Sequence, residues 1–364
     1  MPLRCIDTHG QSIQSNLLNE SQWAELKRLQ GVRKNLRMPC CEQGVVLKTS
    51  KLGTNFFAHQ RRGGCTTKPE SAEHLMLKSL VATAIRNCGW NVATEVRGRS
   101  DEGEEWIADV LATRGSKRIA VEIQWSRQSS EETYSRQTRY ERSDVRGLWL
   151  FKQADYPNDA AVPAMQVSKD DEGRFVVSIP NCRPKVEDGV SYLVEATEQI
   201  SVPEFIRHAL EKRLWFGLYR AQSYVTATLL GAFVKCWKCR EWTNVIAEIQ
   251  ISSPSNHHVL EIPLDELPSF PLLMEQLPIT GLRDKKVGRI APRYSKTEGG
   301  EYLANGCVSC NALQGKFFMS EIRHRLQPVY SQSILVNREF EQILHTYADL
   351  FCRWRLDLPS PTLK

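Results

Sequence analysis

Two carboxylates, Asp109 and Glu122, carry the strongest chemical signal, in the stretch WIADVLATRGSKRIAVEIQWS at 106–126. The alternation in WIADVLAT and the β-branched content of RIAVEIQW predict two strands. Gly115-Ser116 between them reads as a two-residue hairpin turn, since Gly supplies the positive φ such turns require. That turn sets Arg114 opposite Lys117, which puts Asp109 opposite Glu122 and Ile107 opposite Gln124. Period-two alternation then gives all four side chains one face. Carboxylates directly across an antiparallel pair repel unless something positive lies between them. A divalent cation such as Mg²⁺ suits that oxygen donor set. A slip of the turn by one residue would send the two acids to opposite faces.

The cysteines carry a second chemistry. Eleven in a chain of 364 residues do not suggest a disulfide scaffold, but CWKC (236–239) and CVSC (307–310) have metal-ligand spacing. Cys236, Cys239, Cys307 and Cys310 offer four thiolates, the closed tetrahedral set of a structural Zn²⁺. The 67 residues from 240 to 306 exceed the usual ribbon spacing, so an insertion with Pro263, Pro268, Pro271, Pro278 and the basic run RDKKVGR must separate the knuckles. Nearer the N-terminus, Cys40, Cys41, His59 and Cys65 lie in a Gly-punctuated, strand-like segment. Adjacent cysteines reach one zinc together only with a strained backbone, so the expected knuckle uses Cys40 or Cys41 with His59 and Cys65. The competing reading is a mini-domain held by Phe56 and Phe57, with free thiols.

Several elements must position these groups. A helix is expected from about Ser21 to Leu29 and another from Pro69, with Glu73, Leu77, Leu80, Ala84 and Cys88 along one buried face. A carboxylate on that stripe invites a role for Glu73, against the plainer reading of a capping or snorkelling Glu. His74 reads as a packing or hydrogen-bonded histidine. Asn91 to Gly98 reads as a strand carrying Glu95, which either supports the metal-binding carboxylates from behind or, on the plainer reading, faces solvent or pairs with an arginine. Ser129 or Ser130 caps a helix that projects Arg136, Arg139 and Tyr140 at three- and four-residue spacings. GLWLFK (147–152) is a central strand, and residues 165–179 are a hairpin. SYLVEA is a short strand, Pro203 to Trp215 a helix capped by Ser201, and Phe317 to Leu358 helical.

Hydrophobic content of 41% and charged content of 25% are those of a globular protein able to bury a core. No apolar run approaches a membrane span, and no signal-peptide core opens the chain, so a cytoplasmic protein with no membrane partner is expected. The net charge of +6 is concentrated: residues 1–65 hold ten Lys/Arg against four Asp/Glu, leaving 38 against 38 elsewhere. A basic N-terminal region fits phosphate contact, or else a solvated tail.

The order and spacing of FFAH (56–59), PESAEHLMLK (69–78), WIADVL (106–111), VEIQWS (121–126), RQTRY (136–140) and GLWLFK resemble the competence protein CoiA family, over roughly residues 38 to 153. Its central domain is a nuclease of the PD-(D/E)XK type. The resemblance implies an α/β fold: a restriction-endonuclease-like central mixed β-sheet flanked by helices. A small N-terminal Cys/His region (1–66) precedes the nuclease domain (67–215), and a zinc-ribbon-containing domain (216–364) follows. It implies Asp109 and Glu122 as ligands of Mg²⁺ or Mn²⁺, Glu73 joining them directly or through water, and Gln124 where many nucleases of the superfamily carry Lys. It implies Arg136, Arg139 and Tyr140 as nucleic-acid contacts, arginine forks matching phosphate oxygens. Relatives commonly place C-x-x-C before F-A-H, and the adjacent Cys40-Cys41 departs from that. The implied activity is metal-dependent hydrolysis of phosphodiester bonds, DNA before RNA, in DNA uptake, recombination, repair or defence, with a recombination or defence protein as a further partner. The alternatives are a DNA-binding module with feeble or no cleavage, and a non-enzymatic adaptor that recruits a protein through its ribbon.

Overall fold

The fold is that of a computed structural model, which describes residues 2–61, 63–65, 69–187, 190–253, 259–316, 322–349 and 352–358, with 181–187 and 190–196 described by backbone alone. The chain divides into two compact units. Unit 1 comprises 1–180, 197–216 and 353–364; unit 2 comprises 181–196 and 217–352.

Unit 1 begins with the antiparallel pair β1 (Arg4–Ile6) and β2 (Ser12–Gln14), helix α1 (Glu20–Arg33), and the hairpin β3 (Val45–Thr49) and β4 (Asn55–His59). Asn19 caps α1 through a reciprocal bond with Gln22, which fixes where the helix starts. Trp23, Met38, Leu47 and Phe57 form its small core. Helix α2 (Ala72–Asn87) follows, capped by Ser71, whose hydroxyl accepts the His74 N–H at 3.2 Å. The expected start at Pro69 is therefore three residues early. Its buried face carries Leu77, Lys78, Val81, Ala82, Ala84 and Ile85, while Glu73, Leu80 and Cys88 sit at its margins.

The central sheet runs β5 (Asn91–Arg99), β6 (Glu105–Arg114), β7 (Lys117–Gln124), β8 (Arg146–Phe151), β9 (Ala164–Lys169), β10 (Phe175–Glu187) and β11 (Val190–Ser201), side by side in chain order. It is mixed: β5 to β7 are antiparallel, β8 is parallel to both β7 and β9, and β10 turns back antiparallel. Helix α3 (Ser130–Glu141), capped by Ser129, makes the β7-to-β8 crossover that a parallel pair requires. Helix α4 (Val202–Leu210), capped by Ser201, is amphipathic and buries Phe205 and Ile206 in the core shared with α2, Val121, Ile123 and Leu150. Tyr140 of α3 packs with Ala120, Trp149 and Phe151, so helices flank the sheet on both faces.

Unit 2 contains a four-stranded antiparallel sheet in the order β15 (Val259–Pro263), β14 (Trp242–Ser252), β13 (Tyr224–Lys235) and β19 (Gln327–Leu335). A three-stranded sheet of β16 (Ile290–Ser295), β17 (Gly300–Gly306) and β18 (Leu313–Gln314) belongs to the same unit. The expectation of helix from Phe317 to Leu358 is corrected: helix covers Arg338–Tyr347, while Gln327–Leu335 and Arg353–Leu356 are strands. Residues 317–321, 350–351 and 359–364 lie outside the described set. Among the described residues no helix is long and apolar enough to cross a membrane.

Candidate active site

The β6–β7 hairpin pairs Arg114 with Lys117 through Val110 with Val121. Extending that register by one step would pair Asp109 with Glu122, but the strands splay there. Asp109 Oδ2 accepts the Ile123 N–H at 2.9 Å, a bond that the ladder would otherwise supply. The Tyr140 hydroxyl donates to the Ile107 carbonyl at 3.1 Å. The β5–β6 ladder breaks at the same level: Thr94–Val110 and Val96–Ala108 pair, while Glu95 and Asp109 between them do not. Glu95 has φ 48, uncommon for a residue with a side chain.

This break corrects the single-face expectation. Val110 and Ala112 pack toward α2, whereas Trp106 and Ala108 pack with Tyr140 and Trp149 of the opposite layer. Regular alternation would keep all four together, so β6 changes phase at Asp109. Asp109 consequently turns to α2 and Glu122 to α3, at neighbouring strand positions. Ile107 is 48% exposed.

Each acid sits in its own setting. Asp109 has His74 Nε2 3.5 Å away, and that nitrogen is buried with no hydrogen-bond partner. Burial pushes the Asp109 carboxyl up, but the His74 contact, the Lys78 charge and the Ile123 N–H outweigh it and hold it down at about 2. Lys78 is fully buried, and its Nζ meets Glu70 at 2.9 Å and Glu95. Glu70, His74 and Lys78, four apart, thus face the site together. The helical residue set against Asp109 is His74; Glu73 is 38% exposed, 3.9 Å from Lys169, and its expected place on the buried stripe is corrected.

Glu122 is 1% exposed, with Oε2 bonded to Arg136 and Oε1 to the Tyr140 hydroxyl. Burial and the Asp109 charge raise its pKa, against Arg136 and Tyr140, to about 7. Arg136 lies over the Trp149 ring at 5.1 Å and reaches Gln128. Tyr140 is fully buried, so it braces Glu122 from within the layer and presents no surface to a nucleic acid. Arg139 is half-buried, and its Nη1 donates to the Glu105 carbonyl at 3.0 Å. Gln124 donates from Nε2 to the Ser126 carbonyl at 2.8 Å. The sequence reading missed Lys78 and Glu70 as partners of the site, raised Glu95 only as a supporting carboxylate, and read His74 as packing or hydrogen-bonded. The signal was the four-residue spacing in PESAEHLMLK.

Residues 70–168 match the family model described as competence protein CoiA, nuclease-like domain. Over this stretch the chain is similar to that nuclease-like domain. No curated protein matches the chain. Among solved structures, the crystal structure of a protein of unknown function, AF1548, is 15% identical with a TM-score of 0.21, covering 28% of this chain and 61% of that one. The chain thus spans less than two thirds of that protein's length.

Two thiolate clusters lie outside the CoiA-like sheet. Cys40, Cys41, His59 and Cys65 bring their ligand atoms within 4.8 Å of one another. Both adjacent cysteines take part: His59 Nε2 lies 3.6 Å from Cys40 Sγ and 3.2 Å from Cys41 Sγ. The special backbone that two adjacent ligands require is present, since they sit in a turn where Glu42 N–H returns to the Met38 carbonyl at 2.9 Å and Glu42 has φ 57. Successive side chains alternate in a strand but converge in such a turn.

In unit 2, Cys236, Cys239, Cys307 and Cys310 also converge within 4.8 Å. Their two turns are copies of one another. Arg240 N–H bonds the Cys236 carbonyl at 3.0 Å and Asn311 N–H the Cys307 carbonyl at 2.9 Å, with Arg240 and Asn311 at φ 65 and 55. Lys238 and Ser309 each donate N–H to a cysteine sulfur at 3.4 Å. Donors aimed at sulfur favour thiolates, the form a metal requires. Both clusters have donor sets that could bind zinc.

Proposed function

We propose that the CoiA-like domain is a metal-dependent nuclease that hydrolyses phosphodiester bonds in DNA, with Mg²⁺ or Mn²⁺ held by Asp109 and Glu122. The observation that carries this reading is the splayed end of β6 and β7. It leaves two carboxylates at neighbouring positions, one held ionised and the other pushed toward its neutral form by the first. A divalent cation relieves that conflict. The donor set fits: Mg²⁺ uses one or two carboxylates with substrate phosphates, and the unpartnered His74 Nε2 beside Asp109 suits Mn²⁺ as well. When bound, such an ion supplies Lewis acidity toward the phosphate and a more acidic water.

The chain's own groups do the rest. The Ile123 N–H aims Asp109, and Lys78 keeps it charged. Arg136 and Tyr140 fix Glu122, and the guanidinium beside it supplies a positive charge for phosphate. Gln124, uncharged, can orient water or phosphate only by hydrogen bonds. Glu73 remains a candidate to join the ion directly or through water, and Arg139 a candidate for contacts made once DNA is present. We take both cysteine clusters to hold structural Zn²⁺, the chain to act in the cytoplasm, and DNA uptake, recombination, repair or defence to be the setting.

Labelled single- and double-stranded DNA with Mg²⁺ or Mn²⁺, beside Asp109→Ala and an EDTA control, tests the reading. Cleavage lost in both controls supports it, and cleavage surviving Asp109→Ala removes Asp109 from the site. One observation favours a second reading, a DNA-binding module with feeble cleavage: both Glu122 oxygens are already satisfied by Arg136 and Tyr140. Intact DNA with a retained gel shift, and no Mn²⁺ bound at the pair, would decide for it.

A further inference from the structure

The β13–β14 hairpin of unit 2 has one buried face and one face in water. Ala232, Val234 and Val245 pack with Ile322 on the inner side. The register pairs Phe233 with Asn244 and Lys235 with Trp242, so these four residues share the outer side. There Phe233 and Trp242, 49% and 44% exposed, stack with ring centroids 5.0 Å apart and planes 18° from parallel. Lys235 Nζ lies 5.5 Å from the Trp242 ring and Lys286 Nζ 5.7 Å from that of Phe233. Lys286 is pinned there, because its carbonyl accepts the Asn244 N–H at 2.8 Å and the Lys285 carbonyl accepts Asn244 Nδ2 at 2.5 Å. On the adjoining knuckle Trp237 is 63% exposed, its indole N–H donating to the Leu313 carbonyl at 2.8 Å.

Single exposed apolar residues are ordinary, but a stacked aromatic pair in water, with an ammonium group over each ring, needs a reason. The surrounding charge supplies a direction: residues 235–241 and 283–289 together carry seven Lys/Arg against Glu241 and Asp284. Aromatic faces take unpaired bases, and flexible lysines beside them can swing from ring to phosphate. A duplex keeps its base faces inside the stack and offers only phosphates. An acidic protein would use the lysines but gain little from stacked rings.

We propose that Phe233 and Trp242, with Lys235 and Lys286, form a single-stranded nucleic-acid site on unit 2, bases stacking on the rings and phosphates meeting the ammonium groups. The site does not involve the Asp109–Glu122 pair, so it stands or falls independently of cleavage.

Fluorescence polarization with the full chain, without added Mg²⁺ or Mn²⁺, provides the test, using labelled oligo(dT), oligo(rU) and a duplex over a range of salt. Replacing both rings by leucine (F233L with W242L) should weaken oligo(dT) binding about ten- to a hundredfold and duplex binding little. The aromatic swap (F233Y with W242F) should retain it. K235Q with K286Q should flatten the salt slope by about 0.7 for each phosphate no longer neutralised. The oligo(rU) arm tells whether the sugar matters. Zinc content and melting temperature of each variant separate lost binding from lost folding. If the leucine pair binds like the parent, or if a folded aromatic pair loses binding equally, the proposal is wrong. Equal loss toward duplex overturns it too.

Discussion

Lys78→Met removes the only Lys or Arg side chain that is completely buried among the described residues. Its Nζ is bonded to Glu70 and Glu95 and also lowers the Asp109 pKa. Methionine nearly matches the lysine stem in volume, so the loss is almost wholly electrostatic. Stripping one partner from a buried ion pair costs about 3–5 kcal/mol, because the other charge stays desolvated. Here two carboxylates are left, but their side chains are 17% and 16% exposed and can recover some hydration, which places the cost near the lower end, about 3 kcal/mol. Glu95→Gln in the Lys78→Met background should recover about 1–2 kcal/mol by deleting one stranded charge. Its amide oxygen can still accept the Leu3 N–H, which Glu95 Oε1 accepts at 3.1 Å. Urea unfolding of the single and double variants, followed by tryptophan fluorescence, measures both steps. A cost below about 1 kcal/mol for Lys78→Met, or a double variant weaker than the single, would refute the network reasoning.

Further outcomes follow from the same geometry. Glu122 has its pKa raised from 4.5 to about 7, so the folded state holds a proton that the unfolded chain releases, and stability falls as pH climbs through that window. Glu122→Gln should flatten that fall in a urea-midpoint series. Asp109 is shifted the other way, so its stabilisation is full above pH 3.8 and lost as pH falls toward about 2; Asp109→Asn should be less acid-sensitive. Metal analysis should find about two zinc ions per chain, and Cys307→Ser or Cys41→Ser should each remove one. Gly288→Ala would drive a Cβ into the Gly306 carbonyl beside the second knuckle, lowering the urea midpoint of unit 2 and its zinc retention.

The hairpin register was legible because Gly115, at φ 58, allows one tight turn and the flanking residues alternate cleanly. The helix caps Ser129 and Ser201 were legible for a similarly local reason, a short hydroxyl placed before an amphipathic run. The region after Phe317 was not. Its strands Gln327–Leu335 and Arg353–Leu356 pair with distant segments, and period-based reading sees only neighbours in sequence. Residues 4–14 hid a pair of three-residue strands, too short for any period to register.

The site itself was half legible, and the missing half has one cause. Counting in twos assumes an unbroken strand, which puts Asp109 and Glu122 on a shared face. Yet Asp109 carries two oxygens that can replace a ladder carbonyl, and once Oδ2 takes the Ile123 N–H the strands need not stay together. The same phase change brings Asp109 within reach of His74 and Lys78 while it stays close enough to Glu122 for the two charges to interact. A residue type suited to catalysis is thus also the one that disrupts the periodicity used to place it. The Cys40-Cys41 pair obeys the same logic in a turn: alternation forbids both thiols from converging, and the turn removes alternation. Where polar side chains can substitute for backbone bonds, spacing identifies the participants, while their facing is set by the break they create.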